Sequence, residues 1–392
     1  MKSILDQLDL YKKKVLLRLD LNVPLENGII TDTTRINKIL PTINFLRKNN
    51  SKIIILSHVG RPKGKVVNEL SLKPICEDLK KKLNINIKLI TKNLKEINSK
   101  NLFDDPEDKI IMIENLRFYS EEEENNKEFA KHLATLADIY VNDAFSCSHR
   151  AHASISEITK FLPSYSGLQL NLEVNALNKI IAEIKKPITC IIGGSKISTK
   201  INIIKNFIPK FDNIIIVGGM ANNILKYKGY PIGKSVKEDD CDKTIEEIFD
   251  LLKKEKCKII YPEDVVVGKS LSGSPEIKSL NDVLNNEMIL DVGPKTIRTI
   301  TNIIEGSNTL LWNGPAGYFE NPDFAKGTYE IAKKIVEKNK TNTIYSVAGG
   351  GDTVAVLNKI NVVNNFNFVS TAGGAFLEYL EGKELPGIKA LN

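Results

Sequence analysis

The chain has 392 residues, 42% of them hydrophobic and 26% charged, which is ordinary for a soluble globular protein and comfortable for two domains. No apolar stretch approaches the ~18 residues that a membrane helix needs. The net charge of +7 is spread evenly, with 27 basic and 22 acidic groups in residues 1–170, so a nucleic-acid stripe is excluded and a small anionic substrate is not.

The N-terminus, Met1-Lys2-Ser3-Ile4-Leu5-Asp6, has no signal-peptide apolar region, and the chain reads as mature and cytoplasmic. Five scattered cysteines without a CxxC point to reduced thiols rather than disulfides or a zinc site.

In the first half, strands are predicted near Val15–Leu19, Ile53–Ser57, Ile87–Ile90, Ile110–Ile113 and Ile139–Val141. Helical patterns at Ile36–Asn49, Leu72–Leu83 and Lys127–Ala137 fall between them. The apolar runs are short and continuous, as in strands buried on both faces. Alternation with helices implies right-handed βαβ units and a parallel sheet. The amphipathic stretch Leu168–Ile184 follows and is the candidate for a helix joining two domains.

The second half repeats the rhythm, with strands near Ile188–Ile192, Ile214–Val217, Lys258–Tyr261, Met288–Leu290, Thr309–Trp312, Thr343–Val347 and Phe366–Ser370. Val266–Asn281 has Gly, Ser and Pro without a clear period and reads as a surface loop. The expected architecture is α/β: two doubly wound parallel-sheet, Rossmann-like domains joined by a long helix, with a cleft between them. The boundaries fall at 1–167, 168–186 and 187–375.

Open α/β sheets bind ligands where strands end and helices start. In the first half those places carry cations. Arg18, Asp20 and Asn22 leave the first strand, Arg35 opens a helix, and His58 and Arg61 leave the second strand. Arg117 leaves the fourth, and His149, Arg150 and His152 follow the fifth. Each arginine is placed just past a strand, and guanidinium forks suit phosphate and carboxylate. Asp20 and Asn22 suit hydroxyl groups. His149 and His152 lack a third metal ligand nearby, so hydrogen bonding beside the anion is the better reading. His132 reads as structural, and Glu121–Glu124 as a solvated turn.

In the second half the same places carry glycine, which lets a backbone approach phosphate closely. Gly349-Gly350-Gly351-Asp352-Thr353 precedes the helical pattern Val354–Ile360, and Asp352 is placed to hold a Mg²⁺ that bridges phosphates. Gly373-Gly374-Ala375 repeats the layout. Lys196 and Lys200, four apart, would share a helix face and reach phosphates at its start, although a solvated pair is as good a reading of the spacing alone. Gly229–Ser235 has three residues between its glycines where a P-loop needs four, and no strand precedes it. No GxGxxG opens a helix after a strand, which counts against a nicotinamide-dependent dehydrogenase. A two-lobed binding protein that clamps an anion without chemistry is the other rival, and the nucleotide-like second site argues against it.

Taken together, the segments resemble those of the phosphoglycerate kinase family. RLDLNVP at 18–24, SHVGRP at 57–62, ENLRF at 114–118, VNDAF at 141–145 and HRAH at 149–152 are similar to its substrate domain. GGSKISTK at 193–200, VGGMA at 217–221, WNGPAGYFE at 312–320, GGGDT at 349–353 and STAGGAFLE at 370–378 are similar to its nucleotide domain.

The resemblance implies reversible phosphoryl transfer between 1,3-bisphosphoglycerate and MgADP, giving 3-phosphoglycerate and MgATP, by a cytoplasmic monomer. It implies that Asp20, Asn22, Arg35, His58, Arg61, Arg117 and Arg150 bind 3-phosphoglycerate, with Arg18, His149 and His152 completing the basic patch. Lys196 and Lys200 would meet the nucleotide phosphates, Glu320 the ribose and Asp352 the metal. Gly349, Gly350, Gly351, Thr353, Gly373 and Gly374 would approach the phosphates. Gly194, Gly218, Gly219, Asn313 and Pro315 would complete the nucleotide site. The catalytic group would be Arg35, Lys200, Gly350 and Gly373. Residues 376–392 would return to the first domain. Hinge bending is expected at the ends of the Leu168–Ile184 helix and near Thr371–Gly374.

Three departures stand out. Ser146-Cys147-Ser148 replaces the usual Gly-Thr-Ala before HRAH, Ala372 replaces the first glycine of a triplet, and Ala316 fills a variable place. A methyl at Ala372 requires negative φ or a roomy backbone path.

Overall fold

The computed structural model describes residues 1–7, 9–100, 102–105, 108–183 and 185–392. It divides into two units, residues 1–175 with 383–392, and residues 176–382. No helix among the described residues is long and apolar enough to cross a membrane.

The first unit is built on a parallel sheet of β1 (Lys14–Leu19), β4 (Lys52–Leu56), β5 (Lys88–Ile90), β6 (Ile110–Ile113), β7 (Ile139–Asp143) and β8 (Ser164–Ser166). A short hairpin of β2 (Leu25–Glu26) and β3 (Ile29–Ile30) stands outside it. The order across the sheet is β5-β6-β4-β1-β7-β8. Val15, Leu16, Leu17 and Leu19 of β1 are all fully buried, so consecutive side chains face apolar layers on both sides. Each such burial stabilises by about 1.5–3 kcal/mol, which is why these strands read as unbroken apolar runs. β8 escaped sequence reading because Ser164-Tyr165-Ser166 has no apolar run; it is an edge strand beside β7.

The second unit has its own parallel sheet of β9 (Ile188–Ile192), β10 (Asn213–Ile216), β11 (Lys258–Ile260), β15 (Thr309–Asn313), β16 (Tyr345–Gly349) and β17 (Phe368–Ser370), ordered β11-β10-β9-β15-β16-β17. Counted along the chain this is 3-2-1-4-5-6, the dinucleotide-fold order.

The stretch Val266–Asn281, expected as a loop, is one only at 269–275; its ends belong to a three-stranded antiparallel sheet of β12 (Asp264–Gly268), β13 (Glu276–Ser279) and β14 (Met288–Val292). Met288–Leu290 therefore does not continue the parallel rhythm. One face of β13 is solvated, with Ile277 62% exposed, and that blurred the alternation on which a strand assignment depends.

The joining helix runs Leu168–Ile181; Ile184, its expected end, lies outside the described residues. The boundary between the units falls inside this helix, between Asn175 and Ala176. The chain crosses back between Gly382 and Lys383. Gly382 has φ +82°, the left-handed geometry that ends a helix cheaply only at glycine. The helix Gly374–Leu380 stays with the second unit, and only 383–392 join the first. There Gly387 N–H donates to Ser148 O at 2.9 Å. A side chain at Gly387 would meet Ile155 at 2.7 Å, so the segment is seated backbone to loop.

Candidate functional sites

In the first sheet β1 lies between β4 and β7, the point where strand order reverses and where the carboxyl ends open a crevice. Asp20 and Asn22 follow β1, His58 follows β4, Asp143 ends β7, and Arg117 sits on a single 3-10 turn, Leu116–Phe118, after β6.

Asp20 is the junction of this group. Its Oδ2 pairs with Arg35 Nη1 at 2.8 Å and accepts the Ser146 hydroxyl. Its Oδ1 accepts Asn22 N–H at 3.1 Å. Arg35 Nη1 also donates to Asn22 O at 3.1 Å, and Asn22 Oδ1 accepts Gly60 N–H at 2.9 Å. Arg117 Nη1 donates to Gly60 O at 2.9 Å and its Nε faces Glu123 at 3.5 Å. Arg150, exposed, donates to His149 Nε2 at 3.2 Å. Arg61 is exposed and makes no hydrogen bond or ion pair with the described residues.

Arg18 differs from expectation. It lies within β1 rather than past it, fully buried, opposite Leu56 and Asn142 in register. Its Nε donates to Ser154 Oγ at 2.9 Å, and Nη2 donates to His58 Nδ1 at 3.1 Å. A guanidinium can only donate, so His58 Nδ1 accepts and the ring proton sits on Nε2. Burial, reinforced by Arg18, holds His58 well below the usual histidine range. Burial and the same cations bring His152 to about 3. Both rings are neutral at physiological pH. His152 Nδ1 has no hydrogen-bond partner among the described residues.

The Glu121–Glu124 run is not a solvated turn. Glu122 is buried in the helix Ser120–Glu123 and accepts Ser154 N–H at 2.9 Å and its hydroxyl at 2.6 Å. A chain Glu122–Ser154–Arg18–His58 thus reaches from a surface-looking sequence into the crevice. The signal available was its length alone, since four glutamates in a row disguise the one that turns inward.

Asp20, His58 and Cys147 bring three metal-ligand atoms within 4.8 Å of one another. Arg18 already donates to His58 Nδ1, and Arg35 to Asp20. The lone pairs that a cation needs face guanidinium groups, so the crevice suits an anion. His132 is structural as expected, its Nε2 bonded to Leu94 O at 2.7 Å.

In the second sheet the order reverses between β9 and β15. Their turns touch backbone to backbone: a Cβ on Gly193 would lie 2.4 Å from Pro315 O, and one on Gly314 2.4 Å from Gly193 O. Gly314 has φ +103° and Gly350 φ +98°. Asn313, at the end of β15, donates to Gly349 O at 2.6 Å and accepts Lys200 Nζ. Gly314 N–H donates to Thr353 Oγ1 at 2.7 Å. These bonds tie three strand ends into one rigid rim.

Lys196 and Lys200 do not share a helix face. The segment before Ile201 is a turn, and the helix runs only Ile201–Phe207. Lys196 is exposed, whereas Lys200 is partly buried and held by Asn313. Burial lowers Lys200 to about 8, against the opposing pull of Cys190 and Asp352.

Gly194, Gly218 and Gly219 line a cavity of about 250 Å³. Val236, Leu271 and Leu290 supply apolar walls, and Pro315, Glu320 and Asp352 also line it. Sequence reading missed the apolar walls, because Leu271 and Leu290 belong to the segment around β12–β14. Val236 is 57% and Leu271 47% exposed, and exposed aliphatics in polar turns were the overlooked signal.

Asp352 is exposed in the first turn of the helix Gly351–Lys359. Gly373 and Gly351 face open space, and the helix Gly374–Leu380 follows Gly373. Ala372 is absent from the positive-φ residues, so its methyl is absorbed without strain. The P-loop-like Gly229–Ser235 is structural: Gly233 bridges Met288 of β14.

The family described as Phosphoglycerate kinase matches residues 5–383. A phosphoglycerate kinase of Wolbachia pipientis subsp. Culex pipiens is 45% identical over 388 residues, 98% of each chain. One from Zymomonas mobilis is 43% identical over 385 residues, 98% of this chain and 97% of that protein. The solved structure of phosphoglycerate kinase from Coxiella burnetii superposes with a TM-score of 0.88 at 41% identity, covering 99% and 98% of the two chains. That from Pyrococcus horikoshii OT3 gives 0.85 at 27% identity, covering 100% and 98%. The chain belongs to the phosphoglycerate kinase family.

Proposed function

We propose that the chain catalyses reversible phosphoryl transfer between 1,3-bisphosphoglycerate and MgADP, giving 3-phosphoglycerate and MgATP, its family's glycolytic reaction. One observation carries this reading. An arginine-bearing crevice in one unit and a glycine-rimmed cavity in the other each lie at the switch point of a parallel sheet.

In this reading Arg35, Arg117, Arg150 and Arg61 hold the anion, with neutral His58 donating from Nε2 and Arg18 fixing that ring from below. Asp20 and Asn22 take hydroxyl groups and orient Arg35. The 250 Å³ cavity takes the nucleoside, with Glu320 near the ribose. Lys200, kept in place by Asn313, meets the transferring phosphoryl group together with Gly350 and Gly373.

Asp352 offers an exposed hard-oxygen ligand on the same rim, which fits Mg²⁺ bound with the nucleotide phosphates. When bound, the ion neutralises phosphate charge. The carboxylate of 3-phosphoglycerate is already ionised at neutral pH and needs no general base, and neither His58 nor His152 is poised to be one. Catalysis is positioning plus charge stabilisation in a dry site. The ligands are small and the enzyme acts as a cytoplasmic monomer, with the units closing on their ligands.

The test is ATP consumption by the purified chain as 3-phosphoglycerate and Mg²⁺ are added. The reading requires turnover that depends on both. ATP hydrolysis indifferent to 3-phosphoglycerate would overturn it.

A further inference from the structure

The first unit carries a second cationic concavity, at the opposite end of the sheet from the substrate residues. It lies where the amino ends of β4 and β6 meet the last turn of the helix Thr34–Lys48 and the turn before β1. Its volume is about 900 Å³, several times that of the nucleoside cavity. Lys12, Arg47, Lys48, Lys52 and Lys109 line it together with Tyr11, and among the described residues no acidic side chain does.

Among the described residues, none of these five cations has a carboxylate within ion-pairing distance. Arg47 donates only to Asn44 Oδ1 at 3.2 Å and Leu83 O at 3.5 Å. Lys52 lies over the Phe103 ring at 4.9 Å. Asp108, next to Lys109 in sequence, is engaged by Lys88 at 3.6 Å. Five like charges around one concave wall repel one another, and the wall focuses their field into the space they enclose.

We propose that this concavity is a binding site for a compact, multiply charged oligophosphate anion. Arg47 brings a planar fork and the lysines bring movable point charges, the two complementary ways of holding phosphate. Tyr11, 60% exposed, adds an aromatic face beside them. A nucleic-acid strand fits less well, because the charges enclose a pocket rather than form a track and the rest of the chain is evenly charged.

The test is calorimetric titration of the full chain with inorganic tripolyphosphate in metal-free buffer. 3-Phosphoglycerate and ADP are held saturating so that the catalytic sites are filled. One further site per chain is expected, with affinity that falls as salt rises and a melting temperature that rises with tripolyphosphate. The double variant Lys48→Glu/Lys109→Glu changes two exposed residues. It should bind at least ten times more weakly, lose the thermal shift and keep normal turnover.

Lys254→Glu/Lys256→Glu, which makes the same charge change in the second unit, should bind like the parent. The proposal fails if no site remains once the catalytic sites are filled, or if the two double variants weaken binding equally. Binding of a single-stranded oligonucleotide with none of tripolyphosphate would also overturn it.

Discussion

Lys200 Nζ donates to Asn313 Oδ1, and the same amide donates from Nδ2 to Gly349 O at 2.6 Å. The ammonium is therefore fixed against the glycine turn before any ligand arrives. Burial has already lowered its pKa to about 8. Lys200→Ala should lower turnover on the order of 10²–10³ with little change in 3-phosphoglycerate affinity. Because the free-enzyme Lys200 loses its proton as pH rises through about 8, kcat/KM for nucleotide should fall on that alkaline limb. Lys200→Arg keeps its charge to much higher pH, so whatever activity it retains should lack the limb. Asn313→Leu removes both bonds and should reduce kcat more than it raises KM. A parent profile flat to pH 10 would refute the assignment.

Asp352 stands in the first turn of a helix, exposed and on the rim of the nucleoside cavity. If it acts through a metal, Asp352→Ala should weaken MgADP and MgATP far more than metal-free nucleotide. Titrations with and without Mg²⁺ separate the cases. Equal loss in both would mean that the carboxylate acts on the nucleotide itself.

Arg35 Nη1 bonds to both Asp20 and the Asn22 carbonyl, which fixes the plane of its fork at the crevice. Lysine keeps the charge and loses the plane, so Arg35→Lys should recover only part of the 3-phosphoglycerate affinity lost in Arg35→Ala. Arg61 is exposed and uncommitted, so Arg61→Ala should weaken binding without altering stability. Normal calorimetric affinity in Arg61→Ala would remove it from the site.

The legible part of this molecule was its buried repetition. β1, β9 and β15 are Ile-, Val- and Leu-rich because helices cover both faces of their sheets, so the runs showed without any pattern of alternation. The Gly and Arg turns were equally visible, since they follow those runs directly. What stayed hidden depends on which way a side chain turns. Glu122 sits among four glutamates and only the fold sends it to Ser154. Arg18 reads as a ligand-binding arginine, yet β1 ends one residue later and buries it beneath His58. The β12–β14 sheet was masked by its half-solvated strands. Lys196 and Lys200 are spaced like helix neighbours, but the helix begins at Ile201, after both.

Acid should destabilise the first unit through its histidines. His152 has a pKa of about 3 when folded, below the ordinary 6.5 of the unfolded chain. Between those values the unfolded state binds more protons, so stability is full above about 6.5 and is lost as pH falls toward 3. The slope is about 1.4 kcal/mol per pH unit for each such group. Asp143 opposes it: burial raises that carboxyl to about 6, so the folded state takes its proton first. Comparing the parent with His152→Gln cancels the Asp143 contribution. Urea midpoints measured from pH 4 to 7 should fall less steeply in the variant, and parallel slopes would show that His152 is charged in the fold.

The last expectation concerns motion. The residues proposed to hold the anion belong to one unit and those proposed to meet the nucleotide belong to the other. In-line transfer needs donor and acceptor oxygens within about 3–3.5 Å, with water kept out. Two sites carried on separate bodies meet that condition by closure, and the chain passes between the bodies at only two places. One is inside the helix Leu168–Ile181, between Asn175 and Ala176, and the other follows Gly382. Gly382, at φ +82°, is a backbone position where a modest rotation meets little resistance, whereas the helix can only bend or fray. Small-angle scattering should therefore give a smaller radius of gyration with both substrates bound than with either alone. Gly382→Ala makes the left-handed backbone at the second crossing cost about 1–2 kcal/mol, and should change turnover while each ligand still binds singly. Identical scattering in the free, singly and doubly liganded states would mean that no closure occurs, and the hinge reading would fail with it.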